Sequence, residues 1–155
     1  MKRSTRKERE PDLGILSVQL SARVQRELFA RAAERGFADA RPRHGAVLAY
    51  LDEEGTRPGE LARLSGRNKQ TMGAIIDELE RLGYVRREPD PADRRAKLIV
   101  PTDRGREMMR ISDELVQQIE QELSERLGAA TYAEFRVALS HAAGGLRPTG
   151  ADVGD

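Results

Sequence analysis

The sequence predicts a mainly α-helical chain interrupted once by a small β-hairpin that stands out like a wing. Three observations carry this. Apolar residues recur every three or four positions along most of the chain. The stretch "YVRREPDPADRRAKLIVP" (84–101) instead reads as two strands around a turn rich in Pro and Asp. Gly36, Gly55, Gly66, Gly83 and Gly128 fall where each periodic segment gives out.

Residues 1–10, "MKRSTRKERE", have almost nothing to bury and are expected to form a disordered basic arm. Over 12–36 a helix is expected on Leu13, Leu16, Leu20, Val24 and Leu28, widened by Ile15, Val18 and Phe29. A second helix is expected from Pro42 to Glu54, with Val47, Leu48 and Leu51 inward and Gly55 as its end. Thr56 is expected to cap a short third helix, "RPGELARLS", that turns Leu61 and Leu64 inward. After the Gly66 turn, Asn68 is a good cap for a fourth helix whose Met72, Ile75, Ile76, Leu79 and Leu82 share one face. Strands are expected over 84–88 and 96–101, with Arg94 and Arg95 at the hairpin tip. Thr102 should cap a long helix carrying Met108, Ile111, Leu115, Ile119, Leu123 and Leu127, about 25 residues or roughly 38 Å. "TYAE" (131–134) reads as a capping box opening a last helix with Phe135, Ala138, Leu139 and Ala142. The tail 144–155 is rich in Gly, Pro and Asp and is expected to be disordered.

Composition narrows the function. There is no Cys, which removes disulfide frameworks, thiolate metal sites and thiol redox sensing, and fits a reducing cytoplasm. No apolar run approaches the roughly 20 residues of a membrane span, and the basic N-terminus leads into no signal-peptide core. The net charge of +1 hides an asymmetry. Residues 63–106 hold 11 basic and 7 acidic groups, whereas 107–155 hold 4 and 9. Positive charge gathers around the hairpin, as nucleic-acid binding requires.

Two helices joined by a tight Gly turn and followed by a hairpin form a winged helix-turn-helix, expected over 42–101. The second of those helices is then the one that enters a major groove, N-terminal residues first. Its residue types suit base reading. Lys69 reaches a phosphate or a guanine edge, Gln70 pairs with adenine, Thr71 touches a thymine methyl, and Asn68 meets a phosphate. Gly73 and Ala74 allow close backbone approach. On the wing, Arg86, Arg87, Arg94, Arg95 and Lys97 supply the cations, and arginines suit a narrow minor groove. Asp77 or Asp93 is expected to hold one arginine by a bidentate pair and so aim the wing.

These marks resemble the MarR (multiple antibiotic resistance regulator) family of bacterial transcription factors. The resemblance rests on "ELARLSG", "LERLGYVRR", "DPADRRAKLI" and "PTDRG", all within 60–107. It implies an obligate homodimer whose N-terminal helix (12–36) and last two helices (102–143) intertwine. By resemblance, residues 68–74 read the major groove, and Asp93 and Arg95 match the family's Asp-x-Arg of the wing, with Arg94 between them. It further implies a cytoplasmic repressor of a pseudo-palindromic double-stranded operator, released by a small ligand, often aromatic, with no cofactor. Phe29, Phe37, His44 and Tyr50 are candidates to line that ligand's pocket. The recognition start "RNKQTMG" departs from the Ser/Thr-richer versions common in the family, so the operator does not carry over.

The dimer has a physical argument as well, because the first and the long helix hold more apolar stripe than one small domain can bury. No catalytic constellation stands out: there is no Gly-rich phosphate loop, HExxH pair or GxSxG elbow, and two His give a metal site little to work with. The rival readings are a winged-helix protein adaptor and an architectural DNA-binding protein without sequence preference. The basic wing argues against the adaptor, which needs no paired arginines there.

Overall fold

The computed structural model describes residues 2–145. The elements run α1 (Arg3–Arg9), α2 (Leu13–Ala32), α3 (Gly45–Leu48), α4 (Pro58–Ser65), α5 (Lys69–Arg81), β1 (Val85–Asp90), β2 (Asp93–Pro101), α6 (Asp103–Leu127) and α7 (Ala129–Gly145). A π-helical turn, Ala33–Phe37, ends α2, and a 3-10 turn, Pro42–His44, leads into α3. Two compact units divide the chain after Val116, inside α6.

The basic arm is not disordered: residues 3–9 form α1, and the Lys7 ammonium pairs with Asp12. Asp12 itself caps α2, accepting from the Ile15 N–H at 3.0 Å. The expected tail begins inside α7, which includes Gly144 and Gly145, and its remainder lies outside the described residues. α7 also starts two residues before Thr131, directly after the break at Gly128, so "TYAE" lies within its first turns.

The second helix is far shorter than the apolar pattern suggests. It stops at Leu48, and the chain then bends so that Thr56 pairs with Ile99 at the edge of the hairpin. Thr56 therefore caps nothing; its hydroxyl accepts from the Asp52 N–H at 3.0 Å and its backbone forms an isolated bridge with Ile99. Arg57 occupies the cap position of α4, with Pro58 in the first turn. Gly55 makes the bend possible. Its φ is 102°, and a Cβ would meet Val100 at 3.0 Å and Leu98 at 3.2 Å.

Inside the first unit, Val47, Leu48 and Leu51 meet Leu61 of α4 and Met72, Ile75, Ile76 and Leu79 of α5 in one buried core with Tyr84, Val85, Ile99 and Met108. Leu64 is not part of it and stays 39% exposed. Thr102 caps α6 by accepting from the Gly105 N–H at 3.1 Å while donating to the carbonyl of Gly83 at 2.6 Å. Gly105 is required there, because a Cβ would stand 2.0 Å from the Tyr84 carbonyl oxygen. Two surfaces stay apolar and open. Leu13, Leu16 and Val18 on α2 are exposed, and α7 buries none of its residues and exposes Val137 and Leu139.

Candidate nucleic-acid interface

Helix α5 starts where its cap puts it. Asn68 Oδ1 accepts from the Thr71 N–H at 2.8 Å, which fixes the first turn. Burial of the Met72, Ile75, Ile76 and Leu79 face turns Lys69, Gln70 and Ala74 to solvent, with Thr71 and Gly73 half-buried. A Cβ built on Gly73 meets nothing within 4 Å. The protein's own packing therefore does not demand glycine at that position.

The hairpin is tighter and longer than the sequence suggests. Pro91 and Ala92 make the turn, and pairing runs from Val85↔Pro101 to Pro89↔Lys97, then jumps to Asp90↔Asp93. Arg94, Arg95 and Ala96 are thus extra residues, bulged out of β2. Arg94 and Arg95 sit in this bulge beside the turn rather than at the tip. A bulge frees their side chains from the pleat, and both stay exposed.

The carboxylates resolve into distinct jobs. Asp93 holds no guanidinium among the described residues; it accepts from the Arg95 N–H at 3.0 Å and so shapes the bulge through the main chain. Asp77 does hold an arginine, but it is Arg87 at the wing's base, at 2.6 Å, and Glu80 grips the same side chain at 2.6 Å. Arg86 pairs with Glu88 at 2.5 Å. Arg94, Arg95, Lys97 and Lys69 have no ion-pair partner among the described residues. They remain free for an external anion.

Sequence reasoning missed two constellations. Asp90 is 5% exposed, accepts from the Ala92 N–H at 2.8 Å, and pairs with Arg57 at 2.5 Å. That pair ties the wing turn to the start of α4. The Ala92 N–H first, then Arg57, hold the Asp90 carboxyl below its usual range. Its partner lies 33 positions away, so no local pattern announces it. The second is Asp39, Tyr84 and Arg104. The Tyr84 hydroxyl donates to Asp39, and Arg104 pairs with Asp39 at 2.9 Å while lying 4.4 Å over the Tyr84 ring. Arg104 also donates to the Leu82 carbonyl at 2.6 Å, so the exit of α5 is locked to the start of α6. Burial opposes ionisation of Asp39, but Tyr84 and Arg104 outweigh it and hold its carboxyl low; burial and Asp39 push the Tyr84 phenol up.

A cleft of about 970 Å³ opens where α2 faces α3 and the end of α4. Ser17, Ser21, Gln25 and Arg26 line one side, and Arg43, Ala46, Tyr50 and Arg67 the other. Of the aromatic and His candidates, Tyr50 lines it. Phe29 and Phe37 are buried in packing, Phe37 against Tyr84 with ring centres 6.2 Å apart. His44 is wholly buried. Its Nδ1 accepts from the Arg41 N–H at 2.9 Å, and its Nε2 stands 3.1 Å from a Glu78 carboxylate oxygen. Arg43 pairs with the other Glu78 oxygen; Arg43 first, then His44, hold that carboxyl low.

No helix of the described residues is long and apolar enough to cross a membrane. The sequence profile of the MarR family matches residues 39–96. Over 43 residues the chain is 49% identical to an uncharacterised helix-turn-helix regulator, YcgE, of Bacillus subtilis; the match covers 28% of either chain, so it spans well under two thirds of that relative. The transcriptional regulator Tm0710 of Thermotoga maritima is 30% identical, with 83% of this chain and 89% of that one aligned and a TM-score of 0.53. The repressor CouR, seen bound to a 23-mer DNA duplex, is 27% identical, with 92% of this chain and 98% of that one aligned and a TM-score of 0.71. CouR of Rhodococcus jostii is also known bound to p-coumaroyl-CoA. With that profile over α3, α4, α5 and the turn of the hairpin, and relatives aligned over most of its length, this chain belongs to the MarR family of transcriptional regulators.

Proposed function

We propose that two copies of this chain form a homodimeric repressor that binds a pseudo-palindromic DNA duplex and lets go when a small ligand fills the cleft beside α2. One observation carries the DNA half. Lys69 on the reading helix and Arg94, Arg95 and Lys97 on the wing are exposed and uncommitted, while neighbouring cations are consumed in bracing the wing. In this reading Asn68, Lys69, Gln70, Thr71, Gly73 and Ala74 face the major groove, and the bulged arginines face the minor groove. The open apolar faces of α2 and α7 are the surfaces a second copy covers. CouR supports both halves by similarity, since it is a repressor held both on a duplex and on an aromatic acyl-CoA. The setting is the bacterial cytoplasm, and the role is binding rather than catalysis.

The test joins sedimentation with DNA titration. The purified protein should sediment as a dimer and prefer an inverted repeat, selected from random duplexes, over a scrambled one. These four cations in each subunit predict a slope of log affinity against log salt of up to about −7 for the dimer. A stable single subunit, or a duplex affinity indifferent to salt, overturns the proposal, and the second outcome favours a protein adaptor.

A further inference from the structure

Helix α1 has no part in the interface described above, yet its charges are sorted. At 3.6 residues per turn, Arg3, Arg6 and Arg9 fall within an arc of roughly 120°, with Lys2 at the cap beside them and Glu8 on the opposite side. These four cations are exposed, and none has an ion-pair partner among the described residues. Lys7 lies off this face and is engaged by Asp12. A surface kept for solubility alone mixes both signs. Here like charges stand three apart, a spacing that weakens a helix, and α1 is only 7 residues long and buries none of them. A row of external anions relieves that repulsion.

The chain also limits where this face can lie. Because Lys7 pairs with Asp12 and Asp12 caps α2, the exit of α1 is tied to the start of α2. Ser17 and Val18 of α2 line the cleft whose other wall includes Ser65 and Arg67, directly before the Asn68 cap of α5. The path from Arg9 to Ser17 is roughly 12 Å at helical rise. We propose that α1 is a second DNA contact, whose cationic face takes the phosphates of the duplex that flanks the inverted repeat. This rests on reading α5 and the wing as the DNA-binding lobe. DNA presents one phosphate charge per about 1.7 Å of axis, so a helix roughly 10 Å long spans several. Such a contact reads no bases; it adds affinity and salt dependence outside the sequence that α5 selects.

The test compares two labelled duplexes by anisotropy, using the full-length protein. One is the bare inverted repeat; the other extends it on both sides by a turn of scrambled sequence, about 10 base pairs. Wild type should bind the flanked duplex more tightly. One phosphate per α1, hence two per dimer, should steepen its salt slope on that duplex by about 2. The preference should accordingly shrink about ten-fold between roughly 50 and 200 mM salt. Joint replacement Lys2→Gln, Arg3→Gln, Arg6→Gln and Arg9→Gln should abolish the preference while leaving the melting temperature and the affinity for the bare repeat as in wild type. Arg6→Gln alone, at the centre of the face, should remove part of it. Arg94→Gln should weaken both duplexes by one factor and keep the preference intact.

If wild type binds the bare repeat but gains nothing from the flanks, α1 does not touch DNA and the proposal fails. It fails equally if the fourfold variant keeps the preference, since the flanks are then held by another part of the chain. Phosphatidylglycerol vesicles cover the other polyanionic surface. Vesicle binding that the fourfold variant loses, with the flank preference untouched, makes α1 a lipid contact and overturns the assignment to DNA. If wild type ignores both duplexes, it is the regulator reading that has failed, and this inference goes with it.

Discussion

Gly73→Ala separates folding from DNA reading at a single atom. Gly73 lies inside α5, where glycine costs roughly 0.5–1 kcal/mol relative to alanine. The new methyl meets no protein atom within 4 Å, so no clash offsets that gain. At roughly 2–4 °C per kcal/mol for a chain of this size, the melting temperature should rise by about 1–4 °C. On DNA the sign reverses. If the backbone at Gly73 approaches the groove, the methyl is an overpacked contact costing about 1–3 kcal/mol. Two lobes grip one operator, so even about 1 kcal/mol per lobe appears as about 2 kcal/mol, a loss of roughly 30-fold. Thermal melts by circular dichroism and anisotropy titrations with a labelled operator read the two effects separately. A variant that melts higher and binds DNA as well as wild type would refute the placement of this helix face against DNA. One that melts lower would refute the account of why glycine is there.

Other perturbations follow the same logic. Arg57→Ala should weaken operator binding several-fold beyond the loss of one positive charge, and Asp90→Asn should weaken it although the net charge rises; tighter binding in Asp90→Asn, by anisotropy, would show that the wing needs no anchor. Asp77→Ala leaves Arg87 held by Glu80 alone and Asp93→Ala unties the bulge, so both should weaken binding despite adding positive charge, and a gain in both would mean that charge alone decides. Gly105→Ala places a Cβ 2.0 Å from the Tyr84 carbonyl and should destabilise the fold by at least about 1–3 kcal/mol, visible as a lowered urea midpoint. The Asp39, Glu78 and Asp90 carboxyls all titrate below their ordinary 3.8, 4.5 and 3.8 in the folded chain. Their stabilisation is complete above those ordinary values and disappears as pH falls through the lower folded ones. The melting temperature should therefore hold steady from pH 8 to about 5 and drop below about 4; identical acid profiles for wild type and Asp39→Asn would remove Asp39 from that set.

The elements that could be read in the sequence are those whose cause is local. The α5 stripe, the Asn68 cap and the Thr102 cap each depend on residues three or four apart, and all three form as their patterns indicate. What escaped depends on partners far along the chain. The segment after Leu48 looks helical because Leu51 continues the stripe, but the bridge between Thr56 and Ile99 draws the chain to the edge of the hairpin instead. Asp90 looks like an ordinary turn residue, and its role appears only when α4 brings Arg57 beside it. His44 looks like a pocket ligand by its position, yet the 3-10 turn carries its ring into the core. The bulge at 94–96 was hidden for a related reason. Spacing alone places the arginines at the middle of the loop, whereas pairing of Asp90 with Asp93 closes the turn before them.

Acids crowded into a DNA-binding wing look self-defeating if charge is merely summed. Asp77 and Glu80 on Arg87, Glu88 on Arg86, and Asp90 on Arg57 each cancel a cation. Two of these pairings also join separate pieces of chain: α5 to β1 in the case of Arg87, and the wing turn to α4 in the case of Arg57. A mobile wing would have to be ordered on binding, at a conformational cost of about 1–2 kcal/mol per residue fixed. An exposed cation on a phosphate returns little more than that, and less as salt rises. Surrendering two or three arginines to hold the hairpin in place therefore leaves Arg94, Arg95 and Lys97 on a frame that is ordered before DNA arrives. In the proposed reading, affinity in this wing comes from fewer cations on a frame that the acid–arginine pairs hold in place.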